Sequence, residues 1–250
     1  MEQIEGRICV EAALQAQLRR FHLLILRAGL HPQNIQLILS EAQLQNIPVK
    51  YVPRDEIEAM AYGKSHGGII ALALPKPLLT SDELLARVKT ITQPPALLLL
   101  EGIDDSQNLG FTLRSAEAMG IDAILLKKHL WNFDSTMVSR ASSGAYERMA
   151  IALIDQAEKI LPELQNLGLQ LFGCIANAKR TIFDVDLTQP AILAIGGEKR
   201  GLSAAVRSCC NSFIRIPSIT AIGSLALSHA ASVVMAEMMR QRLDSVSRNR

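Results

Sequence analysis

Short apolar runs alternate with longer amphipathic stretches along most of this chain. Beyond residue 95, "ALLLLEGI", "DAILLKK", "ERMAIALI", "LQLFGCIA", "AILAIGG" and "SFIRIPS" have the length and composition of strands. Between them lie stretches that predict helices: the segment after Gly110, "DSTMVSRASSGA", a segment through Leu164, and a long final helix from about Ser224. Such alternation predicts an α/β fold whose mainly parallel sheet is covered on both faces. The first 75 residues read as a smaller α/β unit. There "EAALQAQLRRFHLLILRAG" has helical spacing, "NIQLILS" and "IPVKYVP" predict short strands, "RDEIEAMAYG" a short helix and "GGIIALALP" a further strand. Pro75 and Pro77 end that unit, "SDELLARVKTIT" predicts a helix capped by Thr80 or Ser81, and Pro94 and Pro95 punctuate the chain again. The expected division is a domain over 1–75, a linker with a short helix over 76–95, and a second domain over 96–250.

Composition narrows the class. The 250 residues are 49% hydrophobic but only 4% aromatic, so burial must come from Leu, Ile, Val and Ala, as in layered α/β folds. A net charge of +2 neither demands nor excludes nucleic acid, because phosphate binding depends on where Lys and Arg cluster. Cys9, Cys174, Cys209 and Cys210 contain no CxxC pair, so no zinc or redox motif is expected. With no signal-peptide pattern and no apolar run of roughly 20 residues, the expected location is the cytoplasm, away from membranes.

Three strand-to-helix loops carry candidate chemistry, and ligands on parallel sheets bind beyond the carboxyl ends of strands. In "NLGFTLR", Asn108 is a candidate helix cap, Gly110 permits close backbone approach, and Arg114 follows one turn later. In "AIGGEKRGLS", Gly196 and Gly197 expose main-chain polar groups beside Glu198, Lys199 and Arg200. Neither GxGxxG nor GxxxxGK[ST] occurs, which argues against nicotinamide enzymes and nucleoside triphosphatases. In "IRIPSITAIGSLALSHAASVVMAEMM", Ser224 has the chemistry of an N-cap, and the helix it opens presents Met235, Met238 and Met239 either to the core or to a second subunit. Taken singly, each loop also reads as an ordinary turn, cap or core helix.

In this order the three loops resemble the motifs of the SpoU (TrmH-type) branch of the SPOUT RNA ribose methyltransferases: NxGxxxR, a GxExxG-like turn, and IP followed by SLxxS. The likeness extends to "VSRASSGA" at 138–145, and "GRICVEAAL" and "HGGIIA" resemble the amino-terminal RNA-binding extension of the ribosomal-RNA guanosine subgroup. It implies a parallel sheet with a carboxyl-terminal trefoil knot, a small amino-terminal α/β RNA-binding domain, a homodimer and bound S-adenosylmethionine. Carried onto this chain, cofactor contacts fall at Gly196, Gly197, Gly201, Ile216, Pro217 and Leu225. Catalytic roles fall at Arg114, Asn108, Glu198 and Ser224. Arg140, Lys179, Arg180, Lys199 and Arg200 are the expected RNA contacts, and no metal is implied. The activity implied is S-adenosylmethionine-dependent 2′-O-ribose methylation of structured RNA, with large-subunit ribosomal RNA favoured over transfer RNA.

Two positions depart from the family's third motif. Ala226 stands where Asn is usual, and Ser218 where Met commonly follows IP, so an amide beside the reacting groups is missing. This leaves open a second expectation: a dimeric RNA-binding homologue with weak or no transferase activity.

Overall fold

The computed structural model describes residues 1–128, 132–197, 200–219 and 225–248, which form two compact units. The first comprises Met1–Pro77 together with Phe133–Arg148; the second comprises Leu78–Asn132 and Met149–Arg250. A helical segment from the middle of the chain, expected in the second domain, thus packs with the first unit.

The first unit is built on a four-stranded sheet. Its strands are β1 (Glu2–Glu5), β2 (Phe21–Arg27), β3 (Val49–Val52) and β4 (Ile69–Ala73), in the order β1-β4-β2-β3, with only β2 and β3 parallel. Leu24 and Leu26 of β2 pack with α1 (Arg7–Ala16) and α2 (Gln36–Leu44), while Ile25 faces α3 (Arg54–Met60), so alternate strand residues feed two separate cores. Two segments differ from their expected secondary structure. "FHLLILR" is a central strand, because its apolar run is buried on both sides and Gln17, in the left-handed region at φ 53°, ends the preceding helix. "NIQLILS" is helical: a 3₁₀ turn at Pro32–Asn34 leads into α2, which buries Ile38 and Ala42 four residues apart.

Residues 133–148 contribute α6 (Ser135–Ala141), capped by Asp134, and α7 (Ala145–Arg148). They join the first unit through buried charge. Arg19 donates to Glu147 at 2.6 and 3.2 Å and to Glu2 at 2.5 Å and lies 5.6 Å from the centre of the Tyr146 ring; its side chain is 1% exposed, as is that of Glu147. Lys76 donates to the Tyr146 carbonyl.

The second unit holds seven parallel strands in the order β7-β6-β5-β10-β8-β11-β9. These are β5 (Ala96–Leu100), β6 (Ala123–Lys127), β7 (Ala150–Ile154), β8 (Gln170–Cys174), β9 (Arg180–Thr181), β10 (Ala191–Ile195) and β11 (Ser212–Arg215). Every residue of β5 and β10 is buried, the signature of strands covered on both faces. One core gathers α4 (Ser81–Thr90), α8 (Ala157–Asn166) and α9 (Ala204–Cys209) over Leu97, Leu99, Ile192 and Ala194. Thr80 caps α4 with a reciprocal capping box to Glu83. Elsewhere α10 (Leu227–Arg248) packs on α5 (Ser106–Ala118) and β10.

Met235 and Met238 are completely buried within this single chain, so they do not supply the subunit contact considered above; covering α5 and β10 takes α10's apolar face. The strand order sends the chain past itself, since β10 enters between β5 and β8, β11 lies beyond β8, and α10 then returns over β10. Residues 220–224 lie outside the described residues.

Candidate active site

Three parallel strands end at one cleft of about 500 Å³. β8 delivers Cys174, Ile175 and Ala176, β10 delivers Ile195, Gly196 and Gly197, and β11 delivers Ile216, Pro217 and Ser218. Gly201, Arg207, Leu225, Leu227 and Ala230 complete the wall. All six positions expected to contact a cofactor, Gly196, Gly197, Gly201, Ile216, Pro217 and Leu225, are therefore brought together. The lining is mostly apolar side chain and exposed backbone, with Arg207 as the only charged side chain among the described residues. A pocket of this size and character suits a drug-sized ligand held by main-chain groups in an apolar wall.

Close packing shapes the glycine turn. Gly201 donates to the Gly197 carbonyl at 2.7 Å, and a Cβ at Gly196 would lie only 2.5 Å from the Leu202 nitrogen. Any side chain at 196 would thus displace the turn itself before meeting a ligand. From the other side, Gly102, at φ +76°, packs so tightly on Gly197 that a Cβ there would sit 2.8 Å from the Gly197 Cα.

Asn108 and Arg114 occupy α5, outside the cleft lining. The cap of α5 is Asp105, whose carboxylate accepts from the Asn108 backbone N–H at 2.7 Å; Asn108 is the third helical residue, which corrects its expected role as cap. Its side chain instead bridges two motifs, with Nδ2 donating to Asp105 at 2.5 Å and Oδ1 accepting from the Ser228 hydroxyl at 3.3 Å. Ser228 is the buried final serine of SLxxS, and its link to Asn108 was not legible from spacing alone. Arg114 is exposed on the same side of α5 as Phe111, which is 51% exposed, whereas Gly110 is buried. It has no hydrogen-bond or ion-pair partner among the described residues.

The expected RNA contacts scatter. Lys179 and Arg180 are exposed at the β9 edge, and Arg200 is exposed in the turn beyond Gly197. Arg140 belongs to the first unit, where it pairs with Glu5 at 3.6 Å and donates to Ser65, so its charge is partly spent on structure. Glu198, Lys199 and Ser224 lie outside the described residues.

Burial pushes the Cys174 thiol in the cleft wall up to about 11. At pH 8 its thiolate fraction should make alkylation by iodoacetamide roughly a hundredfold slower than at a free cysteine, with the rate climbing as pH approaches 11. Mass spectrometry of the Cys174 peptide across that pH range checks this, and a rate that levels off near pH 8.5 would contradict it. No group of His, Cys, Asp and Glu suited to a metal ion occurs among the described residues.

The comparisons with known proteins cover both units. Residues 95–236 match the model described as the SpoU rRNA Methylase family, and residues 3–78 match that of RNA 2′-O ribose methyltransferase substrate binding. The chain is 31% identical over 245 residues to the 23S rRNA (guanosine-2′-O-)-methyltransferase RlmB of Pseudomonas putida, covering 97% of each chain. It is 30% identical to a putative TrmH family tRNA/rRNA methyltransferase of Staphylococcus epidermidis, covering 96% of this chain and 95% of that one. Its fold is that of the SpoU methyltransferase AviRb from Streptomyces viridochromogenes, with a TM-score of 0.80 at 22% identity over 98% of this chain and 90% of the other. AviRb has also been solved in complex with the cofactor AdoMet; that structure matches with a TM-score of 0.79 at 21% identity over 97% and 90% of the two chains. By the span of these matches and the motifs gathered at its strand ends, the chain belongs to the SpoU rRNA methylase family.

Proposed function

We propose that this protein transfers a methyl group from S-adenosylmethionine to a ribose 2′-hydroxyl of large-subunit ribosomal RNA, acting in the cytoplasm as a homodimer. The observation that carries the reading is the cleft at the ends of β8, β10 and β11, which collects the six cofactor positions of the family pattern. Bound there, the cofactor supplies an electrophilic sulfonium methyl group. Backbone N–H and C=O groups at Gly196, Gly197, Gly201, Ile216 and Leu225 would hold it, beside Pro217. Apolar side chains of the cleft exclude water from the reacting atoms.

What remains for the protein is to align the ribose and ease loss of its 2′-proton. The planar, cationic guanidinium of Arg114 serves as a clamp on phosphate and ribose that stabilises charge developing on the 2′-oxygen. Its exposure on α5, away from its own cleft lining, supports action across a subunit contact. Phe111 beside it, with Val233, Leu243 and Val246 exposed on α10, supports the same pairing. Asn108, fixed by Asp105 and Ser228, braces the base of α5 against α10, and Glu198 and Ser224 take the remaining polar roles. The reading as a binding protein without transferase activity is not favoured, because relatives matched along 97% of the chain are methyltransferases by name.

Lys179, Arg180, Lys199 and Arg200 form electrostatic contacts to RNA, and Arg140 contributes a further one from the first unit. If each cation meets one phosphate, log affinity should fall against log salt with a slope of roughly −4. Filter binding with Lys179→Ala and Arg180→Ala combined should lower that slope by about 2, and a slope near zero in the parent would remove these cations from the interface. The reaction itself is tested by incubating the protein with labelled S-adenosylmethionine and unmodified ribosomal or transfer RNA. Label is expected in ribosomal RNA, and label confined to transfer RNA would reassign the substrate.

A further inference from the structure

A buried acid outside the cleft lining ties together the two elements that frame the glycine turn. Glu101 immediately follows β5 and is 4% exposed. Its carboxylate accepts from the Ser203 backbone N–H at 2.6 Å and from the Ser203 hydroxyl at 2.8 Å. Lys127, at the end of β6, forms an ion pair with the same carboxylate and donates to the Ser203 hydroxyl at 3.1 Å. Ser203 in turn caps α9 through the Val206 N–H.

The placement matters more than the charge. The backbone of Glu101 donates to the Ile195 carbonyl at 2.9 Å, just before the turn, and its neighbour Gly102 packs on Gly197. Its side chain grips Ser203, just after Gly201. One residue thereby anchors the turn carrying Gly196, Gly197 and Gly201 at both ends. Buried ion pairs stabilise a fold poorly, because desolvation offsets their attraction, so stability alone does not account for three polar groups here. A turn that recognises its ligand by backbone groups loses affinity in proportion to the time it spends in other conformations.

We propose that Glu101 is a positioning residue for S-adenosylmethionine, holding Gly196, Gly197 and Gly201 in their binding arrangement through Ser203 and Lys127. The inference rests on the reading of the cleft as the cofactor site. Glu101→Gln places an amide N–H₂ against donors on Ser203 or Lys127, so one end of the turn is released.

Calorimetry with S-adenosylmethionine alone, at a temperature where each variant is folded by circular dichroism, tests this. Glu101→Gln should raise Kd at least tenfold, and Ser203→Ala, which keeps the backbone bond, by a smaller factor of a few. The double variant should bind no more weakly than Glu101→Gln alone, since both act through one contact. In turnover, KM for the cofactor should rise while kcat at saturation stays within about twofold, a split that general destabilisation would not produce. Unchanged Kd in Glu101→Gln, or independent multiplication of the two effects, overturns the inference. If Glu101→Gln does not fold, Ser203→Ala decides: a raised Kd supports the role and an unchanged Kd overturns it. A parent protein that binds no S-adenosylmethionine overturns the cleft assignment and this inference together, whereas equal binding by parent and variants overturns the inference alone.

Discussion

Replacing Arg114 by Ala should lower kcat by 10²–10³-fold, the roughly 2.7–4 kcal/mol lost when a preorganised donor to a developing oxyanion is removed. Because Arg114 is exposed and without partners among the described residues, the same change should leave stability within about 0.5 kcal/mol of the parent. Cofactor affinity should also hold, since the cleft is lined by other residues. Arg114→Lys should not restore the rate, because a point charge cannot reproduce a planar, two-pronged grip on ribose and phosphate. Single-turnover kinetics with calorimetry on each variant checks the three statements together. Full turnover in Arg114→Ala would remove the residue from the chemistry, and loss of cofactor binding would move it into the cleft.

The largest effect on stability is expected in the first unit. The side chains of Arg19 and Glu147 are each 1% exposed, and their bidentate contact is a buried polar link between Met1–Pro77 and Phe133–Arg148. Glu147→Leu leaves the buried guanidinium with Glu2 and the Leu74 carbonyl as its hydrogen-bond partners among the described residues, a loss of up to about 3–5 kcal/mol. For a unit of this size that lowers the melting temperature by more than about 10 °C. Adding Arg19→Met should recover much of the loss, because it removes the buried guanidinium that has lost its bidentate partner. Thermal unfolding followed by amide exchange in α1 and α7 measures both. A single variant that melts within about 2 °C of the parent would show the pair to be energetically idle.

Where burial is two-sided, the chain was readable. The runs "ALLLL" and "AILAI" have no polar side and became β5 and β10 at the centre of the parallel sheet. The same property misled the reading of "FHLLILR", which continues without a break from a helix and whose strand character depends on β3 and β4 pairing on either side. The glycine turn was legible because tight backbone approach leaves a mark in composition. The links Glu101 to Ser203 and Asn108 to Ser228 were not, since they span 102 and 120 residues and arise only from topology. Placing 133–148 in the first unit depends in the same way on a contact between Arg19 and Glu147, 128 residues apart.

The most direct measurement is nucleoside analysis of large-subunit ribosomal RNA after incubation with the pure protein and methyl-labelled S-adenosylmethionine. Label is expected in a 2′-O-methylated nucleoside, and its loss is expected with Arg114→Ala. Label on a base, or a protein that binds the cofactor and RNA but transfers no methyl group, would contradict this expectation.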